Sequence, residues 1–179
     1  TTASNNTGVG YIALASNTTG YNNTAVGYDA IGDNTTGLQN AAVGYTALSK
    51  NTSGSSNTAI GDRAAAANTT GDNNTACGNA ALRDNSTGHS LVAVGKSALL
   101  LNSTGFSNTA IGKDASRGNT TGNYNTAVGA DALTTNTASD HTAVGFEALQ
   151  ANTTGARNVA VGSKALDANT TASDNTAVG

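Results

Sequence analysis

The sequence predicts an all-β chain, a parallel β-solenoid or β-roll built from coils of 17 residues. Three observations predict it. The stretch Asn23-Thr24-Ala25-Val26-Gly27 returns, with small changes, along the whole chain. The glycines that close it stand 17 residues apart from Gly10 to Gly179, except for one step of 16 between Gly129 and Gly145. A fixed period of this size is the mark of a repeat architecture. Finally, apolar residues come in patches of two or three, broken by Gly and by Asn-Thr, where a helix needs them three and four apart over several turns.

With column 1 at Asn23, the consensus reads N-T-A-V-G-x-x-A-L-x-x-N-T-T-G-x-x. Columns 2 to 4 form a short strand. Column 4 is always Val, Ile or Cys, and Val26, Val43, Ile60, Cys77, Val94, Ile111, Val128, Val144 and Val161 are expected to fill the coil interior. Column 3 is Ala, with Gly8 the exception, and is expected to make a second, tight contact between chains. At column 5, Gly27, Gly44, Gly61, Gly78, Gly95, Gly112 and Gly129 turn the chain, since glycine alone takes positive φ freely. Columns 8 and 9, Ala and mostly Leu, give a second apolar patch, with Ala65 and Ser116 departing at column 9. Column 12 is always Asn and opens N-T-T-G, a turn in which Asn tolerates left-handed backbone and caps its own chain. Stacked Asn and Thr are expected to form side-chain hydrogen-bond ladders along the axis. Every Lys, Arg, Asp and Glu falls in an x column. The charge-free columns are therefore expected to face a neighbour and the x columns water.

Composition narrows the function classes. Only 11% of residues are charged and 4% aromatic, too few for an ordinary globular core. The net charge of −3 supplies no basic field for nucleic acid. No apolar run approaches the ~18 residues of a membrane span. Residues 1–179 read as a single array of about ten and a half repeats, expected to be a window of a longer fibrous protein. Cys77, the single cysteine, has no intramolecular partner and reads as a small buried hydrophobe, with a reactive thiol as the alternative.

The alternation A-V-G-x-x-A-L followed by G-x-x-N-T-A-V-G resembles the head repeats of trimeric autotransporter adhesins of the YadA type. Those repeats read A-I-G-x-x-A-x-A-x-G-x-x-S-V. Columns 3, 4, 5, 8 and 15 match, as in Ala25, Val26, Gly27, Ala30 and Gly37. The style is also similar to repeats of phage tail fibres and bacterial surface fibres. The resemblance implies a left-handed parallel β-roll, three chains side by side, and an adhesive or spacer role at the cell surface. The repeat here is longer around N-T-T, and a single-chain solenoid is the alternative.

Nine column-12 asparagines open N-x-Ser/Thr sequons: Asn17, Asn34, Asn51, Asn68, Asn85, Asn102, Asn119, Asn152 and Asn169. They are candidates for a row of glycans, although the turn role alone explains them. Asn5, Asn22 and Asn73 open three further sequons. Regular Thr columns raise ice binding as a minor alternative, against the plainer reading that Thr is a good strand residue. His89 and His141 have no recurring partner and read as surface residues. No nucleophile elbow, P-loop or metal-ligand spacing is present, so neither catalytic residues nor cofactors are expected. The expectation is a non-enzymatic extracellular segment, an adhesin head or fibre shaft, or else a glycan-coated filament. Its partners would be copies of itself and host surface, matrix or glycans, with no nucleic acid.

Overall fold

The computed structural model describes residues 3–179. Thr1 and Thr2, which the sequence places in columns 13 and 14, lie outside the described residues. The chain is a parallel β-solenoid with no helix among the described residues. Its strands are β1 (Thr7–Val9), β2 (Thr24–Val26), β3 (Ala41–Val43), β4 (Thr58–Ile60), β5 (Thr75–Cys77), β6 (Val92–Val94), β7 (Thr109–Ile111), β8 (Thr126–Val128), β9 (Thr142–Val144), β10 (Val159–Val161) and β11 (Thr176–Val178). They make one sheet in sequential order, each strand parallel to the next. Pairing joins like columns, as in Thr58↔Thr75, Ala59↔Ala76 and Ile60↔Cys77.

The other walls of each coil are hydrogen-bonded to their neighbours as well. The N–H of Leu48 donates to Ala64 at 2.9 Å, that of Thr35 to Thr52 at 2.9 Å, and that of Gln39 to Tyr21 at 3.0 Å. Most backbone polar groups thus find partners one coil away, which lets so thin a structure exclude water from its axis.

The interior differs from the expected one. Column 3 points inward: Ala25, Ala42, Ala59, Ala76 and Ala93 are fully buried. They meet columns 8 and 9, where Ala47, Leu48, Ala81 and Leu82 are also fully buried. Column 4 points outward. Val43 is 43% exposed, Ile60 46%, Ile111 41% and Val161 37%. Val26, Val94, Val128 and Val144 are half-buried, and Cys77 is exposed. The expected core of column 4 is therefore overturned, and with it the buried reading of Cys77 and the placing of column 3 at a contact between chains. The cause is the narrowness of the coil. At Gly8, which lacks the column's methyl, an added Cβ would sit 3.7 Å from Leu14 Cδ1 and 3.8 Å from Ala13 Cβ. Ala fits that gap in ordinary contact, and a valine there would overfill it. In so thin a cross-section size decides which apolar column goes inside.

Charge exclusion likewise overstated burial. Columns 13 and 14 carry no charge, yet Thr18, Thr19, Thr52 and Ser53 are exposed. The column-13 hydroxyls still bind along the axis, Thr18 Oγ1 donating to the Thr35 carbonyl at 2.8 Å and Thr35 Oγ1 to that of Thr52 at 2.9 Å.

Candidate assembly and binding surfaces

A large part of the interior is polar. The column-12 asparagines stack into a ladder in which each Nδ2 has two acceptors, except at Asn17 and Asn136, which have one. Asn68 Nδ2 donates to Asn51 Oδ1 at 2.9 Å and to the Gly71 carbonyl at 3.0 Å. Asn85 Nδ2 then donates to Asn68 Oδ1 at 2.8 Å. A second ladder runs through column 1: the Asn40 N–H donates to Asn23 Oδ1 at 2.9 Å, and Asn40 Nδ2 to the Gly54 carbonyl at 2.8 Å. Buried amides are costly unless paired, and here both ladders pair them.

This geometry removes most of the expected glycan sites. Asn34, Asn51, Asn68, Asn85, Asn102, Asn119 and Asn152 are fully buried. The nitrogen that would carry sugar is the ladder donor. Asn17 and Asn169 are half-buried, and their Nδ2 atoms donate to the Gly20 carbonyl at 2.9 Å and to Asn152 Oδ1 at 2.8 Å. Asn5, Asn22 and Asn73 are exposed instead, in column 17.

Glycine serves two purposes. At column 5, from Gly10 to Gly179, φ lies between 126° and 142°. At column 15 space is the constraint: a Cβ on Gly54 would lie 2.5 Å from both Asn51 Oδ1 and the Gly71 carbonyl oxygen. The left-handed positions are not the column-12 asparagines. They are columns 7, 9 and 17, where φ runs from 48° to 65° in residues as varied as Leu48, Asp29 and Asn73. The recurrence of Asn, Asp and Ser in column 17 was the available signal, since these residues tolerate that region best. Leu at column 9 gave none; its burial holds it there.

The outer face of the sheet presents columns 2 and 4 without a charge along the whole array. Beside it, Tyr11, Tyr28 and Tyr45 of column 6 stack with centroids 5.4 and 5.2 Å apart. His89 lies on the surface as expected, stacked on Phe106 at 5.1 Å. His141 does not: it is 1% exposed and stands in column 1 in place of Asn. Burial lowers its pKa, against hydrogen bonding at the Asn158 and Gly155 backbone and the nearby Asp140 charge.

Charged side chains form exposed rungs between coils, such as Lys50–Asp33 at 2.9 Å and Arg157–Asp174 at 2.6 Å. Exposed pairs of this kind contribute little to stability. An open groove of about 330 Å³ runs past Lys50, Arg63 and Arg83, whose charges are matched by Asp33, Asp62 and Asp84. Beside it, burial and the Asp33 charge raise the pKa of Asp29, against the nearby Lys50. No group of three metal-binding side chains is found among the described residues.

The geometry defines a parallel β-solenoid with two internal amide ladders and one charge-free, partly apolar face. No family model, curated protein or solved structure matches the chain.

Proposed function

We propose that the chain is a non-enzymatic segment of an extracellular fibre, an adhesin head or fibre shaft, that works as a homotrimer of left-handed rolls. The observation that carries this reading is the column-4 stripe. From Val9 to Val178 every member is Val, Ile or Cys, and Val43, Ile60, Ile111 and Val161 are at least 37% exposed in the single chain. A continuous apolar stripe of this length is the mark of an association surface. Copies that bring their outer faces together bury it, with the column-2 Thr and Val92 and Val159 alongside. Handedness and chain number follow the head repeats that the sequence resembles. The varied columns 6, 7, 16 and 17 stay outside and face host surface, matrix or glycans.

The test is particle mass in solution. The native chain is expected at three times its mass, and the double variant Val43→Asp, Ile60→Asp at the single-chain mass with its coil intact. A native particle of one chain overturns the trimer.

A second reading, the glycan-coated filament, is favoured by Asn5, Asn22 and Asn73. Each opens an Asn-Asn-Thr sequon, stands exposed, and takes no part in the amide ladders. Expression in a host that glycosylates such sequons should add sugar at these three alone. Sugar on the buried Asn51 or Asn85 in the folded particle would refute this placement.

A further inference from the structure

The coil from Gly129 to Gly145 is one residue short. Asn136 and Thr137 occupy columns 12 and 13, and Ala138 then stands in the glycine column, so column 14 is the one missing. The column-12 ladder is interrupted at this point. Asn119 Oδ1, without its usual donor from the next coil, accepts from the Gly122 N–H at 3.0 Å. Asn136 turns onto its own loop, donating to the Ala138 carbonyl at 2.7 Å and accepting from the Ala138 N–H at 3.1 Å. Below it, Ser116 replaces Leu in column 9, and its buried Oγ has no hydrogen-bond partner.

The same coil places His141 in the column-1 ladder. The ring copies the amide it replaces. Nδ1 accepts from the Asn158 N–H at 3.2 Å, as Asn23 Oδ1 accepts from Asn40. Nε2 lies 3.3 Å from Asn152 Nδ2, next to the Gly155 carbonyl to which that amide donates. The backbone N–H of His141 donates to Asn125 Oδ1 at 3.0 Å. Only the neutral ring fits, because Nδ1 must offer a lone pair to Asn158.

We propose that this short coil is an acid-sensitive fault line: a proton taken from water onto His141 Nδ1 removes the lone pair that holds the Asn158 N–H, and the stack opens between β9 and β10. The protonated ring sets an N–H against an N–H and leaves a cation among amides. Asp140, the chain neighbour, is the acidic group that faces it. On the following coil Arg157 is exposed and paired with Asp174, and on the preceding coil Asn125 and Tyr124 bring no charge. The weakened column-12 ladder is the parallel support, and it is already broken on the β8 side.

The direction of the effect follows from the neutral ring in the fold. With the folded pKa below the usual 6.5, the unfolded chain takes up the proton first as pH falls. Stability at this site is unaffected above about pH 6.5, declines below it, and levels off once pH passes the folded value.

Hydrogen exchange followed by mass spectrometry between pH 7.5 and pH 5 tests the proposal, with opening constants corrected for intrinsic exchange. In the native chain, opening of residues 136–160 should increase up to about tenfold per pH unit below about pH 6.5, the limit for one proton. His141→Asn restores the column consensus and should abolish that increase, while His89→Asn should keep it. Equal acid opening in the native chain and in His141→Asn, or opening spread evenly over all coils, overturns the proposal.

Discussion

Replacing Gly61 by Ala is expected to disrupt the middle of the array, lowering stability by about 3 kcal/mol or more. Gly61 has φ of +135°, a region that side chains with a Cβ avoid, and strain of that kind costs on the order of 1–3 kcal/mol. The added methyl would also lie 2.5 Å from the Gly78 carbonyl oxygen and 2.7 Å from its carbon. Both are backbone atoms held in the stack, so the coils must move apart, and overpacking adds a similar cost. Gly179 separates the two causes. Its φ is +129°, yet nothing lies within 4 Å of its missing Cβ. Gly179→Ala should therefore show the backbone strain alone, and do so at the end of the described array. Chemical denaturation followed by circular dichroism reads both variants. Equal losses would mean that contact between coils is not what fixes the column-5 glycine.

Replacing Asn68 by Ala should cost about as much, on the order of 3 kcal/mol, by a different route. The substitution removes two donated bonds and the acceptor of Asn85 Nδ2 at once. It orphans Asn51 Oδ1 and an Asn85 amide hydrogen in a dry interior, each at about 1–3 kcal/mol less whatever relaxation recovers, while the Gly71 carbonyl keeps the Asn57 Nδ2 donor at 2.8 Å. Thr70→Ala, on an exposed column of the same coil, should change stability by less than about 0.5 kcal/mol. Because a solenoid's stability is close to a sum of coil and interface contributions, the damage should stay local. Hydrogen exchange should show it at the coils of Asn51, Asn68 and Asn85. A uniform loss along the chain would contradict the ladder's role.

These residues show where sequence reasoning reached and where it stopped. The period, the parallel stacking, the turning glycines and the amide ladders were all legible, because each is imposed by identical coils placing like residues over one another. The inside and outside of the strand were not. Hydrophobicity favours Val26 over Ala25 as a core residue, but the gap facing column 3 admits only a methyl. The uniformity of Ala in columns 3 and 8 was the better guide, since only a tight space rejects every larger residue. The burial of column-12 Asn was hidden for a related reason. A sequon and a buried amide ladder are written with the same letters, and only the axial contact from Asn51 to Asn68 separates them. His141 looked isolated because its partners, Asn125, Asn152 and Asn158, come from coils above and below. The exposed column-4 stripe was visible in composition, as an apolar column with no charge, even though it was assigned to the wrong side.

The column-12 ladder also has a direction. Each Nδ2 donates to the Oδ1 of the coil before it, from Asn119 back to Asn17 and again from Asn169 back to Asn136. Backbone bonds run both ways between coils, as Leu48 donates forward to Ala64 and Gln39 back to Tyr21. The bonded column-12 amide dipoles point one way, and bonded chains of this kind polarise one another. The column-12 ladder is thus a polar line of amides, positive toward its first coil, whose polarisation is interrupted where Asn136 turns away from Asn119.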